Sequence, residues 1–306
     1  MDKNSKRRGF PPWIRCRLSC ETSVRSTLAT LERLSLNTVC QSAHCPNIAE
    51  CFSRKTATFL ILGNVCTRSC RFCAVRNGHA EPPDADEPER VARAVDELGL
   101  RHAVITSVTR DDLPDGGAYQ FAETIRTIGA LRKYVTIEVL VPDFRGDAHP
   151  IESVIDSRPD VFAHNIETVP RLHGGVRPGA DYDRSLAVLE VAGRRNSEIL
   201  TKSGIMVGMG ESWDEVVGVM KDLRSVRCDV FTIGQYLSPS KDHYQVAEFV
   251  PPSVFEKYAT VGGELGFKHV ASGPLVRSSY MADAVFLSAG GGDLKHGVRS
   301  ESAEYR

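Results

Sequence analysis

Thr58-Phe-Leu-Ile-Leu-Gly-Asn-Val-Cys66-Thr-Arg-Ser-Cys70-Arg-Phe-Cys73 decides how this chain folds. Five apolar or β-branched residues run to Gly63, the pattern of a strand buried on both faces. A loop with three cysteines follows at once. Runs of the same kind return at Ala103–Val108, Val135–Val141, Val161–Asn165, Ile199–Val207 and Val230–Leu237. Helical patterns lie between them. Val91, Val95 and Leu98 recur at helical spacing before Gly99, a stop signal, and Ser212-Trp-Asp-Glu215 forms a capping box ahead of Val216, Val219, Met220 and Leu223. Six strand–helix units make a barrel or a doubly wound sheet. No Gly-x-Gly-x-x-Gly follows the first strand, which favours an α/β fold of the partial (β/α)6 TIM-type barrel kind. Barrel chemistry sits at the C-terminal ends of strands. Cys66–Cys73, Thr106–Gly117, Asn165–Glu167 and Gln235–Ser240 all fall on that rim.

The chain has 306 residues, 42% hydrophobic and 25% charged, with a net charge of −1. That length allows one large domain. The charge balance gives no nucleic-acid-binding surface, and no apolar run reaches the length of a membrane span. The basic start (Lys3, Lys6, Arg7, Arg8) is broken by Asp2 and Pro11-Pro12, so it reads as a solvated arm rather than a targeting helix. A soluble, cytoplasmic protein is expected.

Nine cysteines, six of them in two tight groups, do not form a disulfide framework and fit a reducing compartment. The groups are Cys40-x4-Cys45-x5-Cys51 and Cys66-x3-Cys70-x2-Cys73. Structural zinc takes four ligands in paired knuckles, which this spacing does not supply. Three thiolates instead suit a four-iron cluster and leave one iron open to a small molecule. Two groups point to two such clusters. His44, beside Cys45, is set aside because adjacent residues rarely ligate one ion. Cys16, Cys20 and Cys228 read as ordinary thiols.

The second cysteine loop, with Phe72 before its last thiol, resembles the signature of the radical S-adenosylmethionine superfamily. Cys40 to Cys51, with its Cys-Pro-Asn core, resembles the auxiliary-cluster motif of the lipoyl synthase family. Further strings extend the likeness from Trp13 to Tyr280. They include Thr106–Gly117, Pro142-Asp-Phe-Arg-Gly146, His164-Asn-Ile-Glu-Thr-Val-Pro170, Val176–Tyr182, Thr201-Lys-Ser-Gly204, Thr232-Ile-Gly-Gln-Tyr236 and Ser272–Tyr280. Departures are small: Asn64 for a common aspartate, Phe52 for a tryptophan and Ser212 for a threonine.

The resemblance implies two [4Fe-4S] clusters and S-adenosyl-L-methionine as cofactors. Cys66, Cys70 and Cys73 would hold the radical-generating cluster. Cys40, Cys45, Cys51 and Ser279 would hold an auxiliary cluster, consumed as the source of two sulfur atoms placed at carbons 6 and 8 of a protein-bound octanoyl-lysine. Ser279, in Arg277-Ser-Ser-Tyr280, would be catalytic as the labile corner, since a hard oxygen suits a soft cluster poorly. The implied partners are octanoylated lipoyl-carrier domains (2-oxoacid dehydrogenase E2 subunits, the glycine cleavage H protein) and an electron donor such as flavodoxin or ferredoxin. A biotin-synthase-like enzyme would lack the Cys40–Cys51 motif, and an electron carrier would saturate its clusters with ligands. Asn165, Glu167 and Lys202 would either contact the cofactor or hydrogen-bond across the barrel mouth. The expected organisation is an N-terminal extension over 1–57, the barrel with a C-terminal cap over 58–287, and a disordered tail over 288–306.

Overall fold

The computed structural model describes residues 10–14, 21–54 and 56–291. Its main sheet has eight strands: β1 (Asn37–Thr38), β2 (Thr58–Ile61), β5 (His102–Ser107), β6 (Thr136–Leu140), β7 (Val161–Ala163), β8 (Leu200–Val207), β9 (Val230–Gln235) and β10 (His269–Gly273), in that spatial order. Every neighbouring pair from β2 to β10 is parallel, and β1 joins β2 antiparallel. Two short strands, β3 (Val65–Cys66) and β4 (Arg76–Asn77), form a separate parallel pair that pinches the cysteine loop at its base.

All six strands expected from the sequence are present. β10 is a seventh parallel strand beyond the expected six. Its residues, His-Val-Ala-Ser-Gly, are half-buried and carry no apolar run.

Helices cross between the strands because each carries one apolar face. Val91 and Val95 of Glu87–Glu97, with Phe121 and Ile125 of Ala118–Gly129, pack against Phe59, Ile105 and Val139. Val216, Val219 and Leu223 of Trp213–Ser225 pack against Ile205, Phe231 and Ile233. Each such fully buried side chain contributes roughly 1.5–3 kcal/mol. Glu87–Glu97 ends where Gly99 takes φ 68°, and Ser212 with Glu215 forms the reciprocal capping box.

The sheet curves enough for non-adjacent strands to meet inside it. Lys202 Nζ of β8 lies 2.7 Å from Glu138 Oε1 of β6, whose other oxygen lies 3.3 Å from His102 Nε2 of β5. The helix Ala282–Ser288 closes this end: Phe286 meets the His102 ring edge-on at 5.9 Å, and Val285 packs on Val161, Leu200 and Val230. Ala289, 6% exposed, joins that plug, so residues 288–291 are folded where a tail was expected. The rest of that stretch, 292–306, and Cys16 and Cys20 lie outside the described residues. With the N-terminal mouth plugged, the open end is the rim that carries the cysteine loop.

Candidate functional site

The loop after β2 is bolted to its neighbours at Cys66, Thr67, Arg68, Arg71 and Cys73. Thr67 donates twice to the Thr109 carbonyl, from N and from Oγ1, both at 3.0 Å, and its Oγ1 accepts from Asp111 N at 3.0 Å. Arg68 forks onto two carboxylates at once: Asp111 at 2.7 and 2.9 Å, and Asp143 at 2.7 and 2.9 Å. Asp143 follows β6 and its side chain is fully buried. Arg184 and the Arg145 amide also bind it, and against the cost of burial the Arg68 guanidinium, helped by the Arg145 amide, holds its carboxyl down at about 2. Further along, Arg71 N donates to Val176 O at 2.9 Å, His243 Nε2 to Cys73 O at 3.1 Å and Tyr244 N to Arg71 O at 2.8 Å. The three thiols are thus presented by a loop held from four sides.

Cys66 Sγ accepts backbone N–H groups from Thr109 at 3.3 Å and Arg68 at 3.4 Å. Such donors stabilise negative sulfur and tune cluster potentials. Burial pushes the Cys73 thiol up to about 12, with Cys70, Cys66 and Glu167 adding to the shift and the Val75 amide opposing it. Cys70 is raised chiefly by burial too. These mutual effects place the three sulfurs in one electrostatic neighbourhood.

Asn165 and Glu167 stand beside that neighbourhood. Asn165 Nδ2 donates to Glu167 Oε1 at 3.1 Å, and Arg177 donates to the Asn165 carbonyl at 3.0 Å. Glu167 adopts φ 71°, costly for a side-chain-bearing residue, and is held there by bonds to Gly204 O and Met206 N. Burial raises its carboxyl, while Arg177 and Asn165 oppose the shift. Lys202 does not join them. Its ammonium, 1% exposed, is committed to Glu138 inside the barrel, toward the plugged end.

The first cysteine group lies on the N-terminal extension. Thr38 caps the helix Val39–Ser42 that carries Cys40, Cys45 N bonds back to Cys40 O at 3.0 Å, and Cys51 rides on the helix Ile48–Ser53. Burial pushes Cys51 up to about 12, with Cys40, Cys45 and Glu50 adding and Arg54 opposing. The extension is latched to the segment after β10: Asn47 Nδ2 donates to Leu275 O at 2.7 Å, and Tyr280 OH reaches Glu50 at 3.2 and 3.3 Å. Ser279 therefore sits one residue from a contact with the Cys51 helix. Its other neighbour, Ser278, donates to Asn165 Oδ1 at 3.1 Å. Gly234 allows this course, because a Cβ there would overlap the Val276 carbonyl oxygen.

Among the described residues no three His, Cys, Asp or Glu side chains converge on a single ion. A cubane does not ask for that, since each thiolate binds its own iron. Two soft donor triads, one of them with N–H groups aimed at sulfur, fit two clusters. Sequence reasoning missed Arg68, Asp143, Arg177 and His243. Arg68, lying between two cysteines, offered a positional signal, and Asp143 and Arg177 lie within the strings Pro142–Gly146 and Val176–Tyr182 without having been singled out; His243 becomes visible only when distant loops meet.

A model of the Radical SAM superfamily matches residues 60–223. The chain is 59% identical over 273 residues to the lipoyl synthase of Caldanaerobacter subterraneus subsp. tengcongensis, covering 89% of this chain and 95% of that one. It is 55% identical over 276 residues to the lipoyl synthase of Rubrobacter xylanophilus, covering 90% and 86%. Among solved structures, HydG, a maturase of the [FeFe]-hydrogenase, aligns with TM-score 0.55 at 13% identity over 82% of this chain and 63% of that one. Streptococcus suis SuiB bound to S-adenosylmethionine aligns with TM-score 0.51 at 14% identity, covering 77% and 57%. These two likenesses concern the fold alone. The relatives' identity spans both cysteine groups and the sheet that carries the rim, and on that ground the chain belongs to the lipoyl synthase family of the Radical SAM superfamily.

Proposed function

We propose that this protein inserts two sulfur atoms, at carbons 6 and 8, into an octanoyl chain attached to a lysine of a lipoyl-carrier domain. The single observation that carries the proposal is the pairing of two thiol triads through one segment, residues 275–281, which hydrogen-bonds to both surroundings. When bound, the clusters and S-adenosyl-L-methionine would supply a one-electron reductive cleavage, a hydrogen-abstracting radical and a source of sulfide.

The chain's own residues hold and orient. Cys66, Cys70 and Cys73 ligate the radical-generating cluster, with Thr109 and Arg68 amides stabilising the Cys66 sulfur. Glu167 and Asn165, at the strained turn after β7, would hold the methionine or ribose part of the cofactor. Cys40, Cys45 and Cys51 ligate the auxiliary cluster, and Ser279 closes it with a weaker oxygen ligand. Lys202 secures the barrel wall from which the rim residues project. In this reading residues 1–57 form a functional extension of the barrel over 58–287. The finer partners are the E2 subunits of 2-oxoacid dehydrogenases or the glycine cleavage H protein, with flavodoxin or ferredoxin as electron donor, in the cytoplasm. Among the described residues no helix is long and apolar enough to cross a membrane.

Replacing Cys40, Cys45 and Cys51 together with alanine tests the division of labour. The variant should bind about four irons instead of about eight, one four-iron cluster per site. It should still cleave S-adenosylmethionine reductively and make no lipoyl product. Lipoyl formation by that variant would refute the proposal.

A further inference from the structure

We propose that Ser278 is a positioning residue that fixes the serine segment of the auxiliary site to the rim of the radical site. The inference deepens the reading above and rests on its assignment of Ser279, Asn165 and Glu167.

Ser278 Oγ donates to Asn165 Oδ1 at 3.1 Å across 113 residues of sequence, and Asn165 Nδ2 donates in turn to Glu167 Oε1 at 3.1 Å. The far end of this relay is rigid. Arg177 pins the Asn165 carbonyl, and Glu167 is bonded into β8 on both its N–H and its C=O sides. At the near end, the segment is anchored to the extension by Asn47 and Tyr280, and Gln235 N donates to the Pro274 carbonyl at 3.3 Å. Ser279 thus lies between one neighbour tied to the auxiliary helix and another tied to the rim.

The bonds leave capacity for a ligand. A carboxamide has two N–H donors and a carboxylate two oxygens, so the relay leaves one N–H of Asn165 and one oxygen of Glu167. Ser278 can therefore hold its place while a small molecule binds at the rim. The consequence is geometric. Sulfur insertion needs the carbon activated at one cluster to lie within reach of the other, and small misplacements of reacting groups cost rate steeply. A tether from Ser278 keeps the segment bearing Ser279 in register with Glu167. Without it, the segment stays latched to the extension and, at Pro274, to Gln235, but its Ser278–Ser279 stretch loses its direct tie to the Asn165–Glu167 side of the rim.

Ser278→Ala removes the hydroxyl, and Ser278→Thr keeps it. Two measurements are made on wild type and both variants: hydrogen–deuterium exchange of peptides covering 275–281 in the metal-free protein, and the ratio of deoxyadenosine formed to lipoyl product in the reconstituted enzyme. Loss of one hydrogen bond raises local opening roughly 2- to 12-fold. Ser278→Ala should exchange faster by that amount, spare the rest of the barrel and release more deoxyadenosine per lipoyl group; Ser278→Thr should restore both values. If Ser278→Ala shows wild-type exchange, there is no tether. Faster exchange with an unchanged product ratio reduces Ser278 to a fold contact and overturns the positioning role. If wild type itself makes no lipoyl product, the functional reading falls, while the exchange comparison still decides whether the tether exists.

Discussion

Replacing Lys202 with methionine should destabilise the fold without first touching the cofactor site. Both members of the Lys202–Glu138 pair are 1% exposed and their charged atoms lie 2.7 Å apart. Removing one partner of a buried pair leaves the other charge uncompensated, at a cost of about 3–5 kcal/mol. For a chain of this size each kcal/mol lowers Tm by about 2 °C, so a fall of about 6–10 °C is expected in the metal-free protein. The pH dependence has a definite sign. Burial raises the Glu138 carboxyl, but Lys202 and His102 outweigh it and hold the group below its ordinary 4.5. In wild type the pair's contribution is therefore complete above about pH 4.5 and is lost as pH falls through the lower folded value. In Lys202→Met the balance reverses, burial dominates and Glu138 takes up a proton more readily. The deficit should be greatest at neutral pH and should narrow toward pH 5. Calorimetry at both pH values checks this, together with Glu138→Leu/Lys202→Met, which should regain most of the lost stability. An unchanged Tm combined with weakened S-adenosylmethionine binding would return Lys202 to the cofactor site and refute the assignment.

Other substitutions separate the parts of the site. Arg68→Lys replaces a planar fork with a point charge that cannot serve two carboxylates in bidentate fashion; it should speed iron loss from the Cys66 loop to a chelator, and an unchanged release rate would count against the clamp. Gly234→Ala should push the Val276 carbonyl aside and depress lipoyl formation more than S-adenosylmethionine cleavage, whereas an equal loss of both would place the damage elsewhere. Ser279→Cys should retain the auxiliary iron and stall before the second sulfur is inserted, because thiolate holds iron more firmly than a serine oxygen does; full turnover would remove Ser279 from the ligand set.

The strands were legible because parallel strands buried on both faces read as continuous apolar runs, as Thr58–Leu62 does. β10 escaped because His269–Gly273 is half-buried at a sheet edge and carries small residues. The two thiol groups and the pair Asn165–Glu167 could be singled out from spacing and motif, and the structure joins Asn165 to Glu167 by a hydrogen bond. Lys202 was placed in the right strand, but its long side chain turns toward Glu138, and no local pattern reports where a flexible stem ends. The latches Asn47–Leu275, Tyr280–Glu50 and Ser278–Asn165 join residues more than a hundred positions apart, so nothing in either local sequence announces them.

The central claim is most directly tested by anaerobic reconstitution of the whole protein, reduction with S-adenosylmethionine, and mass analysis of an octanoylated carrier-domain peptide. The account predicts a peptide that gains two sulfurs, with the sulfur drawn from the protein's own auxiliary cluster, so that isotopically labelled cluster sulfide appears in the product. Deoxyadenosine formation without any sulfur in the peptide, or product carrying only unlabelled sulfur, would contradict it.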